Sequence, residues 1–263
     1  SGYSATELGS MAVEELLRRA GIDPASGVVD QVYMGQVLQT GSGQAPARQV
    51  AMNVGMPVST PCTTINKVCG SGLEAVMQAD RAIRCQDARV VLCGGAENMT
   101  RAPHTGLIRP GAKFGPATFA DHMQADGLTC AFKGWAMGNA AEFIGKQLEL
   151  TREELDEFSL RSHQLAHQAT EGGKFSTEIA PVTIKTRKGE VIVSTDEPIR
   201  PDTTLEALSS LRPAFEKDGI MHIHSGHQSF TFAVGNTAAA LGVEQDKVVC
   251  HQYYAGGGFG RRT

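Results

Sequence analysis

The six cysteines are scattered, and no two stand in a Cys-x-x-Cys pair. That excludes the spacing of a disulfide framework or a zinc ribbon and makes a reducing, cytoplasmic setting the expectation. No apolar run approaches the roughly 20 residues that a membrane helix needs, so no membrane partner is expected. Ser1-Gly2-Tyr3-Ser4 shows no basic stretch leading into an apolar one, the pattern of a secretory signal. Positive charge is also in short supply. A net charge of -4 argues against a nucleic-acid partner, which would normally require a basic face. What remains is the composition of a globular protein, with 41% hydrophobic and 20% charged residues in 263, enough for one or two domains.

Ser4-Ala5-Thr6-Glu7 predicts a capping box opening a helix whose apolar face holds Leu8, Met11, Ala12, Leu16 and Leu17, with Gly21 ending it. Strands are predicted over 28–37, 63–68 and 89–94, with a helix from Gly70 onward burying Leu73, Val76, Met77 and Ile83 on one face. Strand, helix and strand at this spacing imply parallel pairing and an α/β core. Thr151-Arg152-Glu153-Glu154 is a second capping box, for a helix to about Gly172. The stretch 103–132 is rich in glycine and proline, and 185–194 reads as a hairpin turning at Lys188-Gly189.

The chemistry concentrates at Cys69, in the run Thr63-Thr64-Ile65-Asn66-Lys67-Val68-Cys69-Gly70-Ser71-Gly72. A cysteine just ahead of a helix sits where unpaired N–H groups and the helix dipole stabilise a thiolate. Adjacent glycines let a substrate approach the backbone. A small buried hydrophobe is the competing reading of a lone cysteine. Cys62, Cys85 and Cys93 are read as structural. His222, His224 and His227 invite a metal, but their spacing is short and no carboxylate lies nearby, so a polar strand end or loop is preferred.

The Cys69 run resembles the nucleophile motif of the thiolase family, the acyl-CoA acetyltransferases. Gly35-Gln36-Val37-Leu38-Gln39, Gln44 to Val50, and Gly94-Gly95-Ala96-Glu97-Asn98-Met99-Thr100 resemble further stretches of it. Asp156 to Gln164 and Ile199-Arg200-Pro201-Asp202-Thr203-Thr204 resemble the family's CoA-covering insertion. The resemblance runs from about Ser4 to Gly219. It implies the N-terminal half of a thiolase-type layered α/β core, residues 1–98, with an inserted loop domain, residues 99–219. It also implies an oligomer of identical chains and acyl transfer in lipid metabolism through a Cys69 thioester. Acyl-CoA and coenzyme A would be substrates, with no bound cofactor and no metal. Arg200 and Leu211 match positions that bind the nucleotide end of CoA, and Met137 matches the methionine beside the pantetheine. Ala136 stands where relatives that use short acetoacetyl substrates carry a histidine, which implies another acyl chain.

The family's Asn-Ala-Ser-Gly stretch, its Gly-His-Pro histidine and its second cysteine motif have no counterpart here. Catalytic incompleteness is therefore expected, and a non-catalytic interaction protein that keeps the family's dimer surface is the alternative. Residues 220–263 form a third segment. Ala233 to Leu241, Val248-Val249 and Gly256 to Arg262 resemble a short piece of the molybdenum hydroxylase large subunit. That resemblance implies a glycine-rich loop near a molybdopterin, and a junction of unrelated pieces is preferred over a working molybdenum site.

Overall fold

The computed structural model describes residues 2–109, 114, 117–187, 189–217, 220–225, 234–235, 238–239 and 243–252. It divides into two compact units. The first comprises Ser1–Thr105, Asp121–Gly127 and Ile179–Thr195, and the second Gly106–Ala120, Leu128–Glu178 and Asp196–Thr263.

The first unit is built around a parallel sheet. Its elements are α1 (Ala5–Ala20), β1 (Gln31–Gly35), α2 (Pro46–Asn53), β2 (Cys62–Ile65), α3 (Ser71–Arg84) and β3 (Val91–Gly95). The strands run β2-β1-β3, with Val32 opposite Cys62 and Leu92. Both predicted features of α1 are present: Ser4 and Glu7 cap each other's backbone, and Gly21 closes the helix in the left-handed region at φ 66°. Its buried line, however, is Ala5, Thr6, Gly9, Val13 and Leu17, while Leu16 is exposed. Gly9 draws the helix in this way, because a Cβ there would stand 3.2 Å from both Ala96 and Val50. Val13 and Leu17 join Val32, Met34, Val50 and Leu92 in the main core.

The helix α3 packs on β1, β2 and β3. Its orientation differs from the expected one. Ser71, Ala75, Ala79 and Ala82 are buried, whereas Leu73, Val76, Met77 and Ile83 are exposed. Glycine on the sheet is the cause. A Cβ on Gly35 would lie 2.6 Å from the Ser71 carbonyl carbon, and one on Gly95 would lie 3.5 Å from the Gly72 Cα. The backbones approach so closely that only small side chains fit between them.

Two two-residue strands, β4 (His104–Thr105) and β5 (Ala120–Asp121), follow in the chain. The predicted hairpin forms as β6 (Val182–Thr186) and β7 (Gly189–Val193) and belongs to the first unit. The Tyr3 hydroxyl donates to the Thr183 carbonyl at 2.8 Å and Arg19 to that of Ile179 at 2.6 Å. Lys188, at the predicted turn, lies outside the described residues.

The second unit contains α4 (Met137–Gln147), α5 (Arg152–Glu171), α6 (Leu205–Ser209) and a small sheet of β8 (Glu216–Lys217), β9 (Ile220–Ser225) and β10 (Val248–Gln252). The Thr151–Glu154 capping box is present, and Gly172 caps α5 as expected. The strand β9 carries His222 and His224, in register with Val249 and His251 of β10. His227 and Gly256–Gly258 lie outside the described residues. Among the described residues no group of three His, Cys, Asp or Glu side chains could hold a metal ion, and no helix is long and apolar enough to cross a membrane.

Candidate active site

Cys69 lies on the turn between β2 and α3, one residue before the N-cap Gly70, and is exposed. β2 ends at Ile65, earlier than the predicted Val68, because the chain breaks into a knotted turn. Asn66 starts it, its Oδ1 accepting the Val68 N–H at 3.0 Å as in an Asx-turn. Ser71 Oγ then accepts the Lys67 N–H at 2.9 Å and donates to the Val68 carbonyl at 2.6 Å. Between these ties Val68 takes φ 50°. A β-branched residue in the left-handed region is strained, and the surrounding hydrogen bonds hold it there. The strain sits immediately before the candidate nucleophile.

Gly70 offers no side-chain cap; the first N–H of α3, that of Ser71, donates to the Val68 carbonyl at 3.1 Å, and those of Gly72 and Leu73 follow without a side-chain cap. Glu74, one turn into the helix, reaches back to the turn: Lys67 Nζ is 2.6 Å and Arg81 3.1 Å from its carboxylate. Lys67 first, then Gln78 and Arg81, lower the Glu74 pKa from 4.5 to about 2. A carboxyl with a lower pKa folded than unfolded stabilises the fold above its ordinary pKa and loses that contribution as pH falls. A carbon-detected NMR titration is expected to place the Glu74 midpoint near 2, with the Lys67 tie surviving through pH 4. A midpoint at the ordinary glutamate value would show that the tie is not made.

The other thiols divide. Burial pushes those of Cys62 and Cys93 up, and both are half-buried, in keeping with a structural reading. Cys85, read from sequence as structural, is instead exposed at the C-cap of α3.

Beyond β3, Glu97 Oε2 accepts the N–H groups of Val37 and Leu38 at 2.8 and 3.0 Å. Its Oε1 is buried and has no hydrogen-bond partner among the described residues. The carboxylate borders a cleft of about 200 Å³ with Gln36, Ser42, Asn98 and Arg101.

The remaining candidates lie in the second unit. Met137 opens α4, with Ala136 as its N-cap, and is part-exposed. The Phe215 ring lies over Gly138, where a Cβ would fall 2.0 Å from it. Leu211, four residues before Phe215, is exposed, and its carbonyl accepts from Arg152 at 3.0 Å. Arg152 also binds the Leu208 carbonyl and is oriented by both Asp156 oxygens at 2.9 Å. Arg200 is exposed, and its backbone N–H donates to His163 at 3.2 Å. The two anchors on α5, Arg152 and His163, stand about 16 Å apart along the helix axis. Leu211 is tied to the start of α5 through Arg152, while Arg200 is tied farther along the same helix. Sequence reasoning missed Ser71 and Arg152. An Arg–Asp pair four residues apart was the visible signal for Arg152, though not for its reach to α6.

The family description Thiolase, N-terminal domain, matches residues 1–241, past the boundary expected at Gly219. An acetyl-CoA acetyltransferase of Pseudomonas aeruginosa is 48% identical over 221 residues, covering 83% of this chain and 56% of the relative. A probable acetyl-CoA acyltransferase of Staphylococcus epidermidis is 41% identical over 248 residues, covering 91% of this chain and 62% of the relative. The crystal structure of the Bacillus anthracis acetyl-CoA acetyltransferase superposes with a TM-score of 0.76 at 37% identity, over 82% of this chain and 55% of that one. The chain spans about half the length of the curated relatives it matches. With a parallel α/β core, a family match over most of its length and these relatives, the chain belongs to the thiolase family.

Proposed function

We propose that Cys69 is an acyl-accepting nucleophile that takes an acyl group from acyl-CoA. The observation that carries this is the turn itself: an exposed thiol, set by a strained Val68, at a helix N-terminus without a side-chain cap. The thiolate adds to the thioester carbonyl, whose oxygen takes up negative charge. Collapse of the intermediate then forms the S-acyl enzyme and expels the CoA thiolate, which takes a proton from solvent. The N–H groups of Gly72 and Leu73, which no side chain caps, are the chain's own positive end for that charge.

Arg200, Leu211 and Met137 are the groups assigned to CoA: the guanidinium for its phosphates, and the exposed Leu211 and Met137 for its apolar parts. Residues 1–98 carry the chemistry and 99–219 the substrate cover. The setting is cytoplasmic, in lipid metabolism, and copies of the chain assemble. In this reading the 263-residue chain performs the acylation half of the family's reaction.

Intact-mass measurement after incubation with acetyl-CoA tests the proposal. A gain of one acetyl group, mapped to Cys69 and lost in Cys69→Ala, is expected. Retention of the added mass in Cys69→Ala, or no acylation of a folded chain, would sink it. The second outcome favours a protein that binds without reacting.

A further inference from the structure

Two side chains of α5 hold, by their backbones, two of the residues assigned to CoA. Arg152 and His163 are separated by three turns of helix to within about 20°, so both lie on one side of the rod. Between them, Asp156 accepts from Arg152 Nε with both oxygens at 2.9 Å and orients the guanidinium. Its Nη2 is then placed to donate twice, to the Leu208 carbonyl at 2.5 Å and the Leu211 carbonyl at 3.0 Å. Leu208 ends a helix of only five residues, α6, which is too short to persist unaided. Arg152 therefore braces both α6 and the exposed Leu211 that follows it.

Farther along the same side, His163 Nδ1 accepts the Arg200 N–H at 3.2 Å, which requires the ring proton on Nε2. The Thr203 hydroxyl donates to the Arg200 carbonyl at 2.9 Å. Both backbone polar groups of Arg200 are thus held. Its guanidinium is exposed and has no partner among the described residues.

We propose that Arg152 and His163 are positioning residues for the nucleotide end of CoA, and that they make this chain select a nucleotide-bearing thioester over a nucleotide-free one. Each acts through the backbone of another residue. Leu211 and Arg200 are set in place before the ligand arrives, so less of the segment must be ordered on binding. A thioester without the nucleotide makes neither contact and gains nothing from either anchor. The inference deepens the acyl-transfer reading and rests on its assignment of Arg200 and Leu211 to CoA.

Equilibrium dialysis of the full chain against CoA tests it, together with intact-mass rates of acetylation by acetyl-CoA and by S-acetylpantetheine. Arg152→Gln and His163→Ala are each expected to raise the CoA dissociation constant and the half-saturating acetyl-CoA concentration about tenfold, the scale of a lost hydrogen bond. The limiting acetylation rate, and the rates with S-acetylpantetheine, should stay within about twofold of the parent. His163→Asn, whose side-chain oxygen can accept the same N–H, should bind CoA within about twofold of the parent. Unchanged CoA affinity in either Arg152→Gln or His163→Ala overturns the proposal, as does a His163→Asn chain no better than His163→Ala. Equal losses with both acetyl donors, the result of a merely structural role, overturn it as well. A parent chain that does not bind CoA overturns it together with the assignment of Arg200 and Leu211. A chain that binds CoA but takes no acetyl group sinks the nucleophile reading alone, and the dissociation constants with the His163→Asn rescue still decide this one.

Discussion

Replacing Gly35 with valine is expected to destabilise the first unit by about 3 kcal/mol or more, the upper range for forcing side-chain volume into a packed interior. The first carbon added would lie 2.6 Å from the Ser71 carbonyl carbon and 2.7 Å from the Gly72 nitrogen. Both are backbone atoms and cannot swing aside as a side-chain tip would. The helix must lift off β1, and the Ser71 hydrogen bonds that hold Lys67 and Val68 lift with it. The loss should therefore appear twice: as a lower midpoint in urea unfolding, and as weaker acylation of Cys69 under conditions where the variant is still folded. Gly72→Ala is the control, since nothing lies within 4 Å of its Cβ. That change should be neutral or stabilise by up to about 1 kcal/mol through helix propensity. Equal losses in the two variants would show that close packing at Gly35 is not what holds α3.

The second large effect is a missing one. Purified chain given acetoacetyl-CoA and CoA is expected to turn over at about 10⁻³ per second or less, against roughly 10 per second for an ordinary enzyme. Carbon–carbon cleavage needs more than a nucleophile: the acetyl group stays on the cysteine, a proton must be delivered to the departing acetyl-CoA enolate, and the oxyanion must be held. Each contributes a factor of about a hundred or more. The family's later histidine and second-cysteine motifs, which the resemblance assigns to this work, have no counterpart in the sequence, where Cys250 is followed by His251. Turnover near the ordinary rate that disappears in Cys69→Ala would show that this chain supplies those groups from elsewhere.

Local signals were the most legible. The Ser4–Glu7 and Thr151–Glu154 boxes and the stops at Gly21 and Gly172 are where sequence chemistry puts them, while the strands on either side of α3 run parallel but pair with β1 between them rather than with each other. These depend on neighbours a few residues away. The face of α3 was not legible, because periodicity reports that a face is apolar and not what it packs against. Small residues carry no hydrophobic period, and Ala75, Ala79 and Ala82 face the sheet only because Gly35 and Gly95 let it come close. Val68 gave no warning either, since nothing in a β-branched residue suggests a left-handed backbone. The Cys69 position was readable from glycines and helix spacing, while its exposure depended on tertiary structure. Arg152 reaches carbonyls 56 and 59 residues away, a contact that no local pattern encodes.

The hairpin of β6 and β7 has a consequence for the order of folding. It is held by Tyr3 and Arg19 at the front of the chain, and the Tyr3 contact closes a separation of 180 residues. The three-stranded sheet and its helices are complete in sequence by residue 105, yet the last piece of the same unit ends at residue 195. At 5–20 residues per second, a ribosome needs roughly 5–18 seconds to make the intervening chain. During that interval the nascent sheet stands without its hairpin, and the Tyr3 hydroxyl and the Arg19 guanidinium are without the Thr183 and Ile179 carbonyls.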